Sequence, residues 1–379
     1  MDFPTMRNCA DESLIKHRKK LVAEPLRSNG RRLYGGIQDE AVEARIKRTG
    51  RWPSSDVIER RTPDSELVQM DGCYLYAGMM YNHYGHIMTD SIHRLWAYDP
   101  AVHKGVVFVV MYYEDREDLL PGIKYPKYLE SIVKLFGIEP DQIYLVNKGV
   151  LFEEMDLAMP GCYLGGGPEN WYFPILEKIY ERAEALSDAN RSLPERLFMG
   201  RTHIIGRGTL MGESYFQQLL EKIDFIYFKP EDYSIYNQIS IIKKAREIVF
   251  VEGSAIYGAE LVAAMDGQVT MLPRRDTDIL FSPHLKQKCD FQTAGDLSSI
   301  VRLEASNGKK IPKSPVITLK PARMHNDLAV RTGGLREVPF DFEAFARFQE
   351  NDIVSYGAGK EQYIASLRSA LAGQCQGSR

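Results

Sequence analysis

Between Asn82 and Trp96 the chain places His83, His86, Asp90 and His93 at steps of three, four and three residues. On a helix that spacing puts three imidazoles and a carboxylate in one narrow angular sector. A carboxylate next to an imidazole where a strand turns into a helix supplies a general base and the neighbour that orients it. Asp90 is the first choice for the base, with His86 as its neighbour and reserve. One ion cannot bind all four groups, because at helical rise His83 and His93 stand about 15 Å apart. A pair such as His86 and Asp90 could take an ion only with help from elsewhere, and His83 and His93 can equally be capping or packing residues.

Two further segments have the chemistry of anion binding. In Val251-Glu-Gly-Ser-Ala-Ile-Tyr-Gly258, Gly253 and Ser254 permit a tight turn from an apolar strand into a helix, which aims backbone N–H groups at a phosphate. An ordinary N-cap by Ser254 explains the same residues. Neither a Gly-x-x-x-x-Gly-Lys-Ser/Thr loop nor a Gly-x-Gly-x-x-Gly fingerprint is present. In Phe198–Gly208, Arg201 and Arg207 follow a short strand and offer planar donors that can neutralise a diphosphate without a metal. Glu213 and Glu252 would repel phosphate but can accept from ribose hydroxyls.

The elements that must position these groups alternate. Strands are expected at Cys73–Gly78, Val106–Tyr112, Ile143–Val146 with a continuation near Val150–Phe152, Leu197–Gly200, Phe225–Phe228, Ile248–Val251 and Gln268–Leu272. Helices are expected at Tyr128–Phe136, Pro174–Leu186 and Tyr215–Ile223, around Ile235–Ile242, and from Ser254 to Met265. Alternating strands and helices of this length imply parallel sheets with helices on both faces. Two such series imply two α/β domains facing a cleft. The charged first seventy residues are expected to be peripheral helices and loops, with His17-Arg-Lys-Lys20 and Lys47–Arg51 on a solvated face that can approach an acidic membrane surface.

The composition excludes several classes. With 48 Lys+Arg against 51 Asp+Glu in 379 residues, the net charge of −3 gives no case for a nucleic-acid platform. The longest apolar run, Val106–Tyr113, is far shorter than the roughly 20 residues of a membrane-spanning helix. The polar N-terminus lacks the apolar centre of a secretory signal, so a cytoplasmic location is expected, peripheral at the inner face of a membrane at most. Five scattered cysteines argue against a disulfide framework.

Taken in order, the motifs resemble glycosyltransferase family 61, particularly its bacterial capsular and exopolysaccharide members. The family pattern Asn-x-x-His-(x)3-Asp-(x)3-Arg-Leu, with a Gly before the His, is similar to Tyr84-Gly-His-Ile-Met-Thr-Asp-Ser-Ile-His-Arg-Leu-Trp96. An Arg after a short strand, a second Arg and then Asn-Glu is similar to Arg201, Arg207 and Gly212-Glu213, with Gly212 in place of Asn. Pro230-Glu231, Gln238 and Ala245 follow, and Glu252-Gly-Ser-Ala resembles the bacterial Glu-Gly-Ser-Ala-Leu-His-Asn, with Tyr257 and Gly258 replacing His-Asn. The resemblance covers roughly residues 72 to 275.

It implies a GT-B-like pair of Rossmann-like domains, in which a sugar moves with inversion from a nucleotide-sugar to a glycan or glycolipid hydroxyl, in cell-surface polysaccharide biosynthesis. It implies no required metal or other cofactor. On this reading residues 1–175 form the acceptor-side domain and 176–290 the nucleotide-sugar domain. A C-terminal extension, 291–379, packs back onto the N-terminal domain. Asp90 and His86 are the catalytic candidates, and Arg201, Arg207, Glu213, Gln238, Glu252, Gly253 and Ser254 the donor-binding ones. Membrane or polysaccharide-assembly proteins are the expected partners. The competing readings are another reaction on the same architecture, such as epimerisation, a non-catalytic glycan- or nucleotide-binding subunit, and a metal-dependent hydrolase built on His83, His86, Asp90 and His93.

Overall fold

A computed structural model of the chain describes residues 3–29, 33–39, 60–188, 194–204, 206, 208–302, 315–357, 365 and 368. They divide into two units, Met1–Asn190 with Ser234–Ser240 and Tyr257–Ala264, and Arg191–Tyr233 with Ile241–Ile256 and Met265–Arg379. The expected boundary at 175/176 falls inside a helix of the first unit, Phe173–Leu186, which is held there by buried Ile175, Leu176, Ile179 and Ala183.

The first unit is built on a six-stranded mixed sheet. Its strands are β1 (Ile15–Ser28), β2 (Leu33–Ile37), β3 (Val68–Met80), β4 (Val106–Tyr113), β5 (Ile143–Val146) and β6 (Val150–Ala158), in the order β2-β1-β6-β3-β4-β5. Strands β6, β3, β4 and β5 pair in parallel, while β1 runs antiparallel to both β2 and β6. The end of β1 also pairs with β4, Leu26 opposite Met111, so the pairings β1–β6–β3–β4–β1 close a ring. Leu21, Ala23, Leu26, Tyr74, Tyr76, Val107, Val109, Phe152 and Met155 fill one core.

Strands β1 and β2 correct the expectation of peripheral helices and loops before residue 70. The basic run His17–Lys20 is the exposed start of a strand whose second half is buried. That second half carries charges with internal partners. Glu24 accepts from the backbone N–H groups of Arg61 and Thr62, and the Arg27 guanidinium lies 5.0 Å from the Tyr34 ring centre. Buried charges with partners defeat a pattern that equates charge with surface. The stretch Lys47–Arg51 lies outside the described residues.

Strands β7 (Cys162–Tyr163) and β8 (Gly167–Pro168) form a small hairpin in the first unit. The second unit holds a five-stranded, wholly parallel sheet of β9 (Arg196–Met199), β10 (Ile226–Tyr227), β11 (Glu247–Val251), β12 (Gln268–Leu272) and β13 (Asp290–Thr293). Its order β10-β9-β11-β12-β13 is a doubly wound arrangement that reverses direction between β9 and β11. A pair, β14 (Ile300–Arg302) and β15 (Val316–Thr318), lies in the same unit.

Among the helices, α1 (Tyr84–His86), α2 (Tyr128–Lys134) and α3 (Phe173–Leu186) belong to the first unit, and α4 (Glu213–Glu221) to the second. After α5 (Ile235–Lys244) and α6 (Ser282–Leu285) come α7 (Pro321–Thr332) and α8 (Phe342–Gly357). The last two place Met324, Leu328 and Phe345 in the second unit's core, beside Phe198, Phe216 and Val249. Asp352 on α8 also accepts from the Gly212 backbone N–H at 2.8 Å and from the Ser214 hydroxyl at 2.7 Å, which caps the start of α4 from outside that helix. The described part of 291–379 is therefore a component of the second unit, where a segment returning to the N-terminal domain was expected.

Candidate functional site

In the first unit the site is made where β3 ends. His83 is still extended, with φ −146°, and α1 then runs into a π-turn at Ile87–Ser91 and a 3-10 turn at Ile92–Ala97. π-turns are rare and concentrate at functional sites. The change of helical pitch breaks the single stripe that a regular helix would have given. His83 stays outside the helix and exposed, and its ring centre is 5.2 Å from that of His86. His93 is buried against Tyr172, with ring centres 5.6 Å apart.

His86 and Asp90 do meet, with Nδ1 and Oδ2 2.9 Å apart. The Asp90 side chain is 0% exposed and that of His86 16%, so the imidazole is the member of the pair that solvent and ligands reach. An ionised Asp90 that accepts from Nδ1–H holds the ring in the tautomer whose lone pair is on Nε2. The turn is pinned to the strand beneath it. Thr89 Oγ1 donates to the Gly85 carbonyl at 2.9 Å, and Ser91 Oγ donates to the Met79 carbonyl. Gly78 has φ +114°, and a Cβ there would lie 3.1 Å from Ser91 Cα and 3.2 Å from the Asp90 carbonyl oxygen, so only glycine lets the turn seat this closely.

Gln238 and Tyr257 also belong to this unit. Tyr84 Oη donates to Gln238 Oε1 at 3.4 Å, and the Tyr257 ring packs against Gly85, where an added Cβ would lie 3.0 Å from it. Gln238, expected among donor-binding residues, accepts here from Tyr84, the residue that opens α1. Tyr257, which stands where the family has His, packs against Gly85, the residue before His86.

In the second unit the strand order reverses between β9 and β11, and ligands of doubly wound sheets bind at the carboxyl ends of the strands at such a point. Arg201 follows β9 there, and Glu252, Gly253 and Ser254 follow β11. A Cβ at Gly253 would sit 2.8 Å from Arg201 Nη1, so the guanidinium lies directly over that glycine. Arg207 lies outside the described residues.

Both acidic candidates are used internally. Glu252, 0% exposed, accepts from the Arg274 backbone N–H at 2.7 Å through Oε2 and pairs with Arg275 Nη1 at 2.6 Å through Oε1. Glu213, also 0% exposed, accepts from the Arg201 backbone N–H. Neither is open to a ribose, and each instead fixes a loop that carries an arginine. Burial pushes the Glu213 carboxyl up to about 7 against the pull of Arg201 and Arg274. Burial, followed by repulsion from Arg201, lowers Arg274 to about 9.

Sequence reasoning missed Arg274 and Arg275. Arg274 Nε donates to the Glu252 carbonyl at 2.5 Å, and its Nη1 donates to the Gly208 carbonyl. The available signal was position, because both follow strand β12 at the same sheet edge that carries Arg201.

The groups of His, Cys, Asp and Glu that could hold a metal, among the described residues, are His17–Cys73–Asp156 and His93–Cys162–Glu260. The set His83, His86, Asp90 and His93 does not converge, which removes the geometric basis of the hydrolase reading. No helix among the described residues is long and apolar enough to cross a membrane.

Residues 84–265 match the family model described as Glycosyltransferase 61. The matched segment starts just before His86 and ends beyond Ser254, so it spans both sets of candidate residues. That match supports glycosyltransferase family 61, and with it the glycosyltransferase class of transferases in general. A comparison with curated proteins found no match.

Proposed function

We propose that the chain transfers a sugar, with inversion, from a nucleotide-sugar donor to a hydroxyl of a glycan or glycolipid acceptor during cell-surface polysaccharide biosynthesis. The two units act as the halves of a GT-B enzyme, the first taking the acceptor and the second the donor. The observation that carries this reading is the 2.9 Å pair of a fully buried Asp90 and a partly exposed His86. His86 Nε2 takes the acceptor hydroxyl proton as the new glycosidic bond forms, and Asp90 holds the tautomer and stabilises the imidazolium. The geometry favours His86 over Asp90 as the base because a carboxylate with no exposed surface cannot reach an acceptor.

The nucleoside diphosphate leaves from the opposite face of the sugar with developing negative charge. Arg201 stabilises that charge together with Arg207 and the Gly253-Ser254 turn, since fixed donors need little reorganisation as charge builds. Glu213, Glu252, Arg274 and Arg275 hold these loops in place, and Gln238 supports the catalytic turn through Tyr84. The transfer step uses no metal. The protein works in the cytoplasm, at the inner face of a membrane, with polysaccharide-assembly proteins as partners.

The test is incubation of the purified protein with a panel of nucleotide-sugars and acceptor glycans in EDTA, with the product's anomeric configuration read by NMR. An inverted glycoside formed in the presence of the chelator supports the reading. Retention of configuration in the product contradicts it.

A further inference from the structure

His93, Cys162 and Glu260 come from the 3-10 turn after Asp90, from β7 and from the 3-10 helix Ser254–Leu261, all in the first unit. All three are buried, and their ligand-type atoms lie within 4.8 Å of one another. Glu260 Oε2 stands 3.5 Å from His93 Nε2 and 3.4 Å from Cys162 Sγ. Ligand bonds of about 2.0–2.3 Å at tetrahedral angles give edges of about 3.3–3.8 Å, so both separations are those of ligands around one small ion.

A second observation points the same way. His93 Nε2 is fully buried and makes no hydrogen bond to any described residue, although the ring's other nitrogen, Nδ1, lies 3.4 Å from Tyr172 Oη. A zinc-ligating histidine has this form, with one nitrogen hydrogen-bonded to fix the tautomer and the other directed at the metal. The Gly161 backbone N–H also donates to the His93 carbonyl at 2.9 Å, which ties the residue before Cys162 to the turn that carries His93.

We propose that His93 Nε2, Cys162 Sγ and a Glu260 carboxylate oxygen form a structural site for a zinc-type divalent cation. Imidazole, thiolate and carboxylate together select a borderline-soft ion over magnesium or calcium. Binding releases the Cys162 thiol proton to solvent and leaves a fourth position for a small ligand such as water. The ion clips three segments distant in sequence and stiffens the helical run that also bears His86 and Asp90, neither of which is a ligand.

The other candidate group, His17, Cys73 and Asp156, lacks this character. Asp156 is already held by Arg7 Nη1 at 2.9 Å, His17 Nδ1 at 2.8 Å and His103 Nε2 at 3.1 Å, and a guanidinium in that place opposes a cation. The proposal does not rest on the transfer reading, and its test needs no turnover.

The test is elemental analysis of untagged protein purified without chelator, followed by chelation and titration with Co2+ while the thiolate-to-cobalt charge-transfer absorption is recorded. About one zinc per chain and a charge-transfer band saturating near one equivalent are expected. Both should be retained by Cys73→Ser and fall at least tenfold in Cys162→Ser with its native circular dichroism intact. If Cys162→Ser does not fold, the wild-type and Cys73→Ser spectra decide. Metal-free wild-type protein with no cobalt–thiolate band, or a band lost in Cys73→Ser, overturns the site.

Discussion

Arg201 Nη1 lies in the space that a side chain at Gly253 would fill, 2.8 Å from the position of the missing Cβ. The two residues follow different strands, β9 and β11, at the point where the sheet order reverses. The glycine therefore sets where the guanidinium rests.

Gly253→Ala moves that guanidinium and little else, because the displaced atom ends a flexible side chain. Stability should change by less than about 1 kcal/mol, while nucleoside diphosphate binding weakens about tenfold or more as a charge-assisted hydrogen bond is lost. Calorimetric titration checks this, and an unchanged Kd would remove Arg201 from the donor site.

Gly78→Ala should act on stability first. It places a Cβ at φ +114° against the backbone of Asp90 and Ser91, where neither neighbour can yield easily. The expected cost is about 2–3 kcal/mol in urea unfolding, with turnover falling as the His86–Asp90 turn is lifted from β3. A variant as stable as wild type would show that the turn is not seated on this glycine.

The buried Glu213 carboxyl predicts a pH effect of definite sign. Its folded value of about 7 lies above the ordinary 4.5. Its contribution is thus fully present below about 4.5 and is lost as the pH rises through 7, because the unfolded chain releases the proton first. Relative to Glu213→Gln, wild type should lose up to about 3 kcal/mol between pH 4.5 and 8. Urea unfolding at both pH values gives the comparison, and an equal gap at each would contradict the assignment.

Asp352→Ala removes the acceptor for the Gly212 N–H and the Ser214 hydroxyl. A loss of about 1–2 kcal/mol is expected, as for other helix caps. Thermal unfolding of the variant measures how far α8 supports the second unit, and an unchanged midpoint would contradict the capping role.

Much of the α/β alternation was legible because apolar runs such as Val106–Tyr113 and Glu247–Val251 are buried parallel strands, which hide from water on both faces. The His86–Asp90 pairing followed from a four-residue step that survives the entry into the π-turn. The single stripe of His83, His86, Asp90 and His93 failed because that turn changes the phase on which it depended. Strand β1 was hidden by Arg and Lys at its exposed end and by two buried charges, Glu24, whose partners Arg61 and Thr62 lie far away in sequence, and Arg27, which packs on Tyr34 of β2. Glu213 and Glu252 were chosen as polar groups near arginines, and nothing local reveals that both are buried. Arg274 needed the register of β12, which only the sheet supplies.

The central claim, that His86 takes a proton during sugar transfer while Asp90 orients it, is tested most directly by kcat of His86→Gln in the donor–acceptor assay. The account predicts a fall of about 10²–10⁴-fold, the usual contribution of a general base, with nucleotide binding and thermal midpoint close to wild type. Turnover within about threefold of wild type would contradict it.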